Sequence, residues 1–151
     1  MIMGIKNYYN FTYKIKVNEE LTNITNKINN IIKKLKIKEG LILIYTKHTT
    51  TAVKLLEDEF LLRQDTHEFL EKIATSKKKY KHDMIELRTV PPDEPKNGCS
   101  HLRALLISNR ELIPIVNGKL ELGKWQQIMY IELDPKHRGR TFSVFVLEFK
   151  K

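Results

Sequence analysis

The chain predicts an α+β fold, and three observations carry that prediction. Its hydrophobic period changes from two to between three and four near Glu20. The pair Asn117-Gly118 sits between two short apolar runs, a strong hairpin signal because both residues tolerate positive φ. Strand-like runs then succeed one another toward the C-terminus, so an α+β domain with two or three helices fits better than alternating βαβ units.

Each element has a local reason. Tyr9, Phe11, Tyr13, Ile15 and Val17 alternate with Asn10, Thr12, Lys14, Lys16 and Asn18, which puts the apolar set on one strand face. Leu21, Ile24, Ile28, Ile31, Ile32 and Leu35 recur at three and four residues, giving one stripe on a helix. After Gly40, the run from Leu41 to Tyr45 suits a buried strand, and Ala52 to Leu56 suits a second one. Glu57, Asp58 and Glu59 lead into a helix through Phe60, Leu61, Phe69, Leu70 and Ile73, with acidic residues where the helix dipole favours them. The polar, proline-bearing stretch from Ser76 to Pro95 reads mainly as a long loop. Asn97 is expected to cap a helix from about Gly98 to Ser108, with Leu102, Leu105 and Leu106 facing inward. Ile113, Ile115, Leu120 and Leu122 flank the hairpin turn, and strands follow around Trp125 to Leu133 and Thr141 to Phe149. Residues 1–151 read as a single domain.

Composition bounds the function. A hydrophobic fraction of 41% and a charged fraction of 30% are those of a soluble globular protein. No apolar run is long enough to cross a bilayer, and the N-terminus lacks a signal-peptide pattern. One cysteine cannot form an internal disulfide, which suits a reducing cytoplasm. A net charge of +9 raises the question of a nucleic-acid partner. The lysines, however, are spread over a wet helix face (Lys27, Lys33, Lys34, Lys36, Lys38) and a polar connection (Lys77 to Lys79, Lys81), with no stacking motif beside them. They read foremost as solvated surface, with a nucleic acid or an anionic small ligand as the lesser alternatives.

Five histidines offer chemistry. His48 follows a buried strand, His82 lies in the long loop and His101 falls in the first turn of the helix after Asn97. Such element ends often meet in one cleft, where imidazole binds metal or moves protons. Their spacing leaves scattered structural histidines equally open, and His67 and His137 read as surface residues. Thr49, Thr50 and Thr51 either present hydroxyls beside His48 or simply favour a strand. Gly98 and Ser100 either cradle a phosphate with free backbone N–H groups or belong to a simple helix cap. Cys99 beside His101 is no evidence for a nucleophile–base pair, because adjacency in sequence does not set it up. Glu57 and Asp65 are carboxylates that would lie near the same cleft or be solvated. Trp125 reads as core or interface on its strand, with Gln126 on the opposite face.

Taken together, Thr46-Lys47-His48-Thr49-Thr50-Thr51-Ala52-Val53, Tyr80-Lys81-His82-Asp83, Asn97-Gly98-Cys99-Ser100-His101-Leu102, Ile113-Pro114-Ile115-Val116-Asn117-Gly118 and Leu122-Gly123-Lys124-Trp125-Gln126 resemble the motifs of the YjbQ (UPF0047) family, in order and over nearly the whole chain. Thr51, Lys124 and Leu56 depart from the usual family pattern. The resemblance implies an α+β fold with two packed β-sheets and a homotrimer. It also implies a secondary thiamine-phosphate synthase activity, joining a pyrimidine pyrophosphate to a thiazole phosphate and releasing pyrophosphate. On that basis His48, His82 and His101 are expected to be catalytic and to hold a divalent metal, Mg or Zn, with Glu57, Asp65 and Asp83 as acidic partners. Thr49, Thr50, Asn97, Gly98, Trp125 and Gln126 would contact a small phosphorylated substrate. The alternative is a metal- or anion-binding protein without turnover.

Overall fold

The computed structural model describes residues 5–15, 20–134 and 139–150. Val17 of the first expected strand and the histidine at 137 lie outside them. In chain order the elements are β1 (Ile5–Ile15), β2 (Leu21–Asn23), α1 (Thr25–Leu35), β3 (Gly40–Tyr45), β4 (Thr51–Glu57), α2 (Phe60–Ile73), α3 (Gly98–Leu106), β5 (Arg110–Val116), β6 (Lys119–Leu120), β7 (Gln126–Glu132) and β8 (Arg140–Phe149). The stretch expected as a loop carries two short 3₁₀ turns, Lys81–Asp83 and Ile85–Leu87.

Every strand pairing is antiparallel, and the strands form two sheets. One has the order β1-β8-β3-β5-β6 and the other β2-β7-β4. The alternation along each strand decides what packs where. Ile42 and Ile44 of β3, Ile113 and Ile115 of β5, and Phe142, Val144 and Val146 of β8 meet Val53, Ile128 and Tyr130 of the smaller sheet in one core. Ile28, Ile31 and Ile32 of α1 complete that core. The other face of the smaller sheet holds Ala52, Met129 and Ile131, covered by Leu70 of α2. The smaller sheet is therefore buried on both faces, and removing a fully buried side chain such as Ile28 costs about 2–5 kcal/mol.

Three local expectations are revised. The helical stripe begins at Thr25, because β7 takes Leu21–Asn23 into its ladder, pairing Leu21 with Ile131. The Ile128 N–H then donates to the Thr25 hydroxyl at 2.8 Å, anchoring the helix start on the same strand. α3 ends at Leu106, and its leucines face outward: Leu105 is 79% exposed, and Leu102 and Leu106 are also exposed. Its buried face is Cys99, Ser100 and Arg103, and the Arg103 guanidinium bonds the Ala74 carbonyl at 3.0 Å and the Glu71 carboxylate. An arginine satisfied at both ends can occupy an inward position that the leucines then leave. Trp125 stands in the turn before β7, not on the strand, and is 63% exposed, with the Lys124 ammonium 4.7 Å above its ring. It is not core.

The hairpin expectation holds: Asn117 and Gly118 have φ of 50° and 79°. Gly40 is obligatory for another reason, since a Cβ there would lie 2.2 Å from the Leu147 carbonyl oxygen of the neighbouring strand.

Candidate functional site

The threonine-rich run folds on itself before β4 begins. Thr46 and Thr51 share a buried hydroxyl hydrogen bond of 2.7 Å, and the Thr51 hydroxyl also donates to the His48 carbonyl at 3.3 Å. This turn carries His48 against β8, where the Thr141 backbone N–H donates to His48 Nε2 at 3.0 Å. Because Nε2 accepts, the ring proton of neutral His48 resides on Nδ1. Burial lowers the His48 pKa, and the nearby Arg140 charge lowers it further against an opposing pull from Glu132.

His101 rises from the first turn of α3, and His82 packs edge-on against it with ring centroids 4.6 Å apart. Burial lowers the His101 pKa, His82 and Arg88 add to that, and Asp134 and Glu94 oppose it. His48 and His101 line one cleft of about 660 Å³, together with Thr46, Thr49, Lys47 and Arg110. Among the described residues its lining holds no carboxylate.

A buried charged cluster adjoins this cleft. Arg140 Nη2 donates to Glu132 Oε1 at 2.9 Å and its Nε donates to the other carboxylate oxygen. The same Nη2 reaches the Thr50 hydroxyl at 3.1 Å, and Asp134 lies 3.8 Å away. Burial acts to lower the Arg140 pKa, but the Glu132 hydrogen bonds and charge outweigh it and hold the guanidinium charged. Asn97 Nδ2 donates to Asp134 at 2.8 Å. Sequence reasoning missed Glu132, Asp134 and Arg140. A signal was present, for Glu132 shares the inward strand parity of Ile128 and Tyr130, and Arg140 that of Phe142 and Val144. A charge at an inward strand position needs a partner.

The expected site residues therefore divide. His48, Thr49 and His101 face the cleft, with His82 behind His101. Thr50 and Asn97 are buried and engaged by Arg140 and Asp134. The Asn97 side chain does not cap α3. Asp83 does: its Oδ1 accepts the Gly98 N–H at 2.9 Å and its Oδ2 the Tyr80 N–H at 3.0 Å. A carboxylate thus occupies the helix start expected to receive a phosphate. Gly98 is needed there for packing, since a Cβ would lie 2.6 Å from the Tyr80 Cβ. Two buried polar atoms, Asn97 Oδ1 and His82 Nε2, have no hydrogen-bond partner among the described residues.

Glu57, Trp125 and Gln126 lie at the far end of the smaller sheet. Thr51 pairs with Glu132 and Glu57 with Gln126, so the two ends are separated by about 20 Å at strand rise. Gln126 Oε1 accepts the Gly123 N–H at 2.8 Å, which closes the turn holding Trp125. Asp65 is exposed on α2 and lines no part of the cleft. Nor do His48, His82 and His101 fit a shared metal within one chain. Among the described residues no three His, Cys, Asp or Glu side chains are grouped to hold an ion, and His48 Nε2 is already engaged by a backbone N–H.

Fold and site together define a two-sheet α+β protein with a histidine-lined, cation-rimmed cleft. The chain belongs to the YjbQ family: residues 9–148 match the family described as UPF0047 protein YjbQ-like. It is 37% identical over 130 residues to a UPF0047 protein of Archaeoglobus fulgidus, covering 86% of this chain and 94% of that one. A UPF0047 protein of Methanothermobacter thermautotrophicus is 32% identical over 83% of this chain and 82% of its own length. Among solved structures, a YbjQ-like protein of unknown function from Sulfolobus solfataricus superposes with a TM-score of 0.79 at 27% identity, over 97% of this chain and 99% of that one. A hypothetical protein from Aeropyrum pernix gives 0.78 at 29% identity, over 94% and 98%.

Proposed function

We propose that the cleft between His48 and His101 binds a phosphorylated small molecule and supports transfer of the thiamine-phosphate synthase type. The observation that carries this reading is the lining: two histidines that burial keeps neutral, Lys47 and Arg110, and, among the described residues, no carboxylate. In the reaction the thiazole nitrogen bonds to the pyrimidine methylene carbon as the carbon–oxygen bond to pyrophosphate breaks. The leaving pyrophosphate takes the electron pair. Lys47 and Arg110 stabilise the charge that develops on it, as preorganised cations do. His48, with its proton on Nδ1, donates a hydrogen bond to a phosphate oxygen. His82 Nε2 and Asn97 Oδ1, unpartnered among the described residues, are polar atoms that a bound ligand would satisfy.

The same reading includes a homotrimer. The outward leucines of α3 form an apolar stripe, and Glu57, Trp125 and Gln126 sit too far from the cleft to serve it within one chain. A neighbouring copy would cover the first and bring the second to the site.

Binding without turnover is favoured by one observation: Glu132 and Asp83, carboxylates of the surrounding scaffold, are engaged by Arg140 and by backbone N–H groups. Calorimetric titration with thiazole phosphate and with the pyrimidine pyrophosphate, followed by an assay for thiamine phosphate, separates the two readings. Product that is lost in His101→Ala and Arg110→Ala supports transfer. Binding without product supports the alternative. No binding of either compound rejects both.

A further inference from the structure

We propose that a second hollow, lined by none of the residues of the cleft, binds a small aromatic anion of nucleoside-monophosphate size. It is an open depression between β1 and α1 of about 520 Å³, within the usual range of small-ligand pockets. Phe11 and Tyr13 of β1 form one wall, and Ile31 and Leu35 of α1 form the other. The rings of Phe11 and Tyr13 are 6.2 Å apart, tilted by 41° and half-buried; Tyr13 also stacks on Phe142 at 5.5 Å, so a ligand meets only the parts of the two rings left exposed.

The rim is cationic. Lys27 and Lys34 stand on the α1 face that borders the hollow, seven residues apart and so about 10 Å along the helix, with Asn30 and Ile31 between them. From Leu21 to Lys38 the chain has five lysines and no Asp or Glu. None of the ion pairs among the described residues involves Lys27 or Lys34. Lys27 instead rests over aromatic faces, its ammonium 5.5 Å from the Tyr13 centroid. An apolar floor bounded by two unneutralised cations and one amide matches a ligand with a flat ring and a phosphate or carboxylate. A nucleic-acid strand needs a succession of stacking faces along a groove. Here two rings share one hollow, which suits a single ring.

The test is a ¹⁵N-correlation NMR titration of the full chain with 1-naphthyl phosphate, 1-naphthoate, AMP, neutral 1-naphthol and a decauridylate. Shifts at Asn30, Ile31 and Lys34 that saturate with the anions, and need about tenfold more of the neutral compound, support the proposal. Naphthyl phosphate and AMP against naphthoate tell which anionic head is preferred. Lys27→Gln and Lys34→Gln, each confirmed folded by circular dichroism, should weaken binding about threefold or more, while Lys38→Gln on the same segment leaves it unchanged. No saturable shift, equal response to 1-naphthol, equal loss in Lys38→Gln, or response to the oligonucleotide alone overturns the proposal. Shifts confined to His48 and His101 do so as well, and they leave the cleft reading intact.

Discussion

Arg140→Met tests the buried charged cluster that adjoins the cleft. In the native protein Glu132 is fully buried and holds two hydrogen bonds from the guanidinium. The substitution leaves that carboxylate with a single donor, the Asp134 backbone N–H at 2.9 Å. Removing one partner of a buried pair costs about 3–5 kcal/mol, whereas replacing both with apolar groups is often close to neutral. The single variant should therefore lower the urea midpoint by about 2 M for an m-value near 2 kcal/mol per M. Adding Glu132→Met should recover most of that loss. His48 provides an independent readout: its pKa is held down in part by Arg140 and pulled up by Glu132, so it should rise in Arg140→Met by NMR titration. A single variant as stable as the parent, or a double variant as unstable as the single, refutes the reasoning.

Glu71, bonded by Arg103 and the Ser76 N–H strongly enough to outweigh its burial, has its pKa lowered to about 2 from an ordinary 4.5. Its contribution is complete above pH 4.5 and is lost as pH falls through about 2, so Glu71→Gln should flatten the melting temperature across that window in calorimetry. His48 and His101 have lowered pKa values, so both should be neutral at pH 7 and titrate by NMR below the ordinary 6.5. Their share of stability is present above pH 6.5 and declines as pH drops below it. Gly40→Ala forces a Cβ into the Leu147 carbonyl and should cost about 1–3 kcal/mol by chemical denaturation. Leu105→Lys changes a residue 79% exposed in one chain, so monomer stability should move by less than about 0.5 kcal/mol. If the trimer reading holds, the same variant should shift sedimentation from trimer to monomer.

Local chemistry was enough for much of the fold. The Asn117-Gly118 turn needs only two residues that accept positive φ. The α1 stripe and the alternation in β1 follow from which spacing puts apolar groups on one side. His48 and His101 were also legible as cleft residues, because both sit where an element begins or ends. The inward faces of β7 and β8 were legible but harder to interpret, since Glu132 and Arg140 break an apolar alternation and make sense only as a pair.

What sequence determined by itself was the type and order of most elements, β2 excepted, and the family they build. Tertiary structure alone decided which of two compatible faces turns inward. In α3 both Leu102-Leu105-Leu106 and Cys99-Ser100-Arg103 have helical spacing, and the helix buries the latter because Glu71 and the Ala74 carbonyl satisfy the arginine. It also decided that Asp83, fifteen residues upstream, caps α3 in place of Asn97, and that Trp125 and Glu57 end up at the opposite end of their sheet from His48. Each of these depends on a partner distant in sequence, and spacing along the chain carries no record of which distant group will arrive.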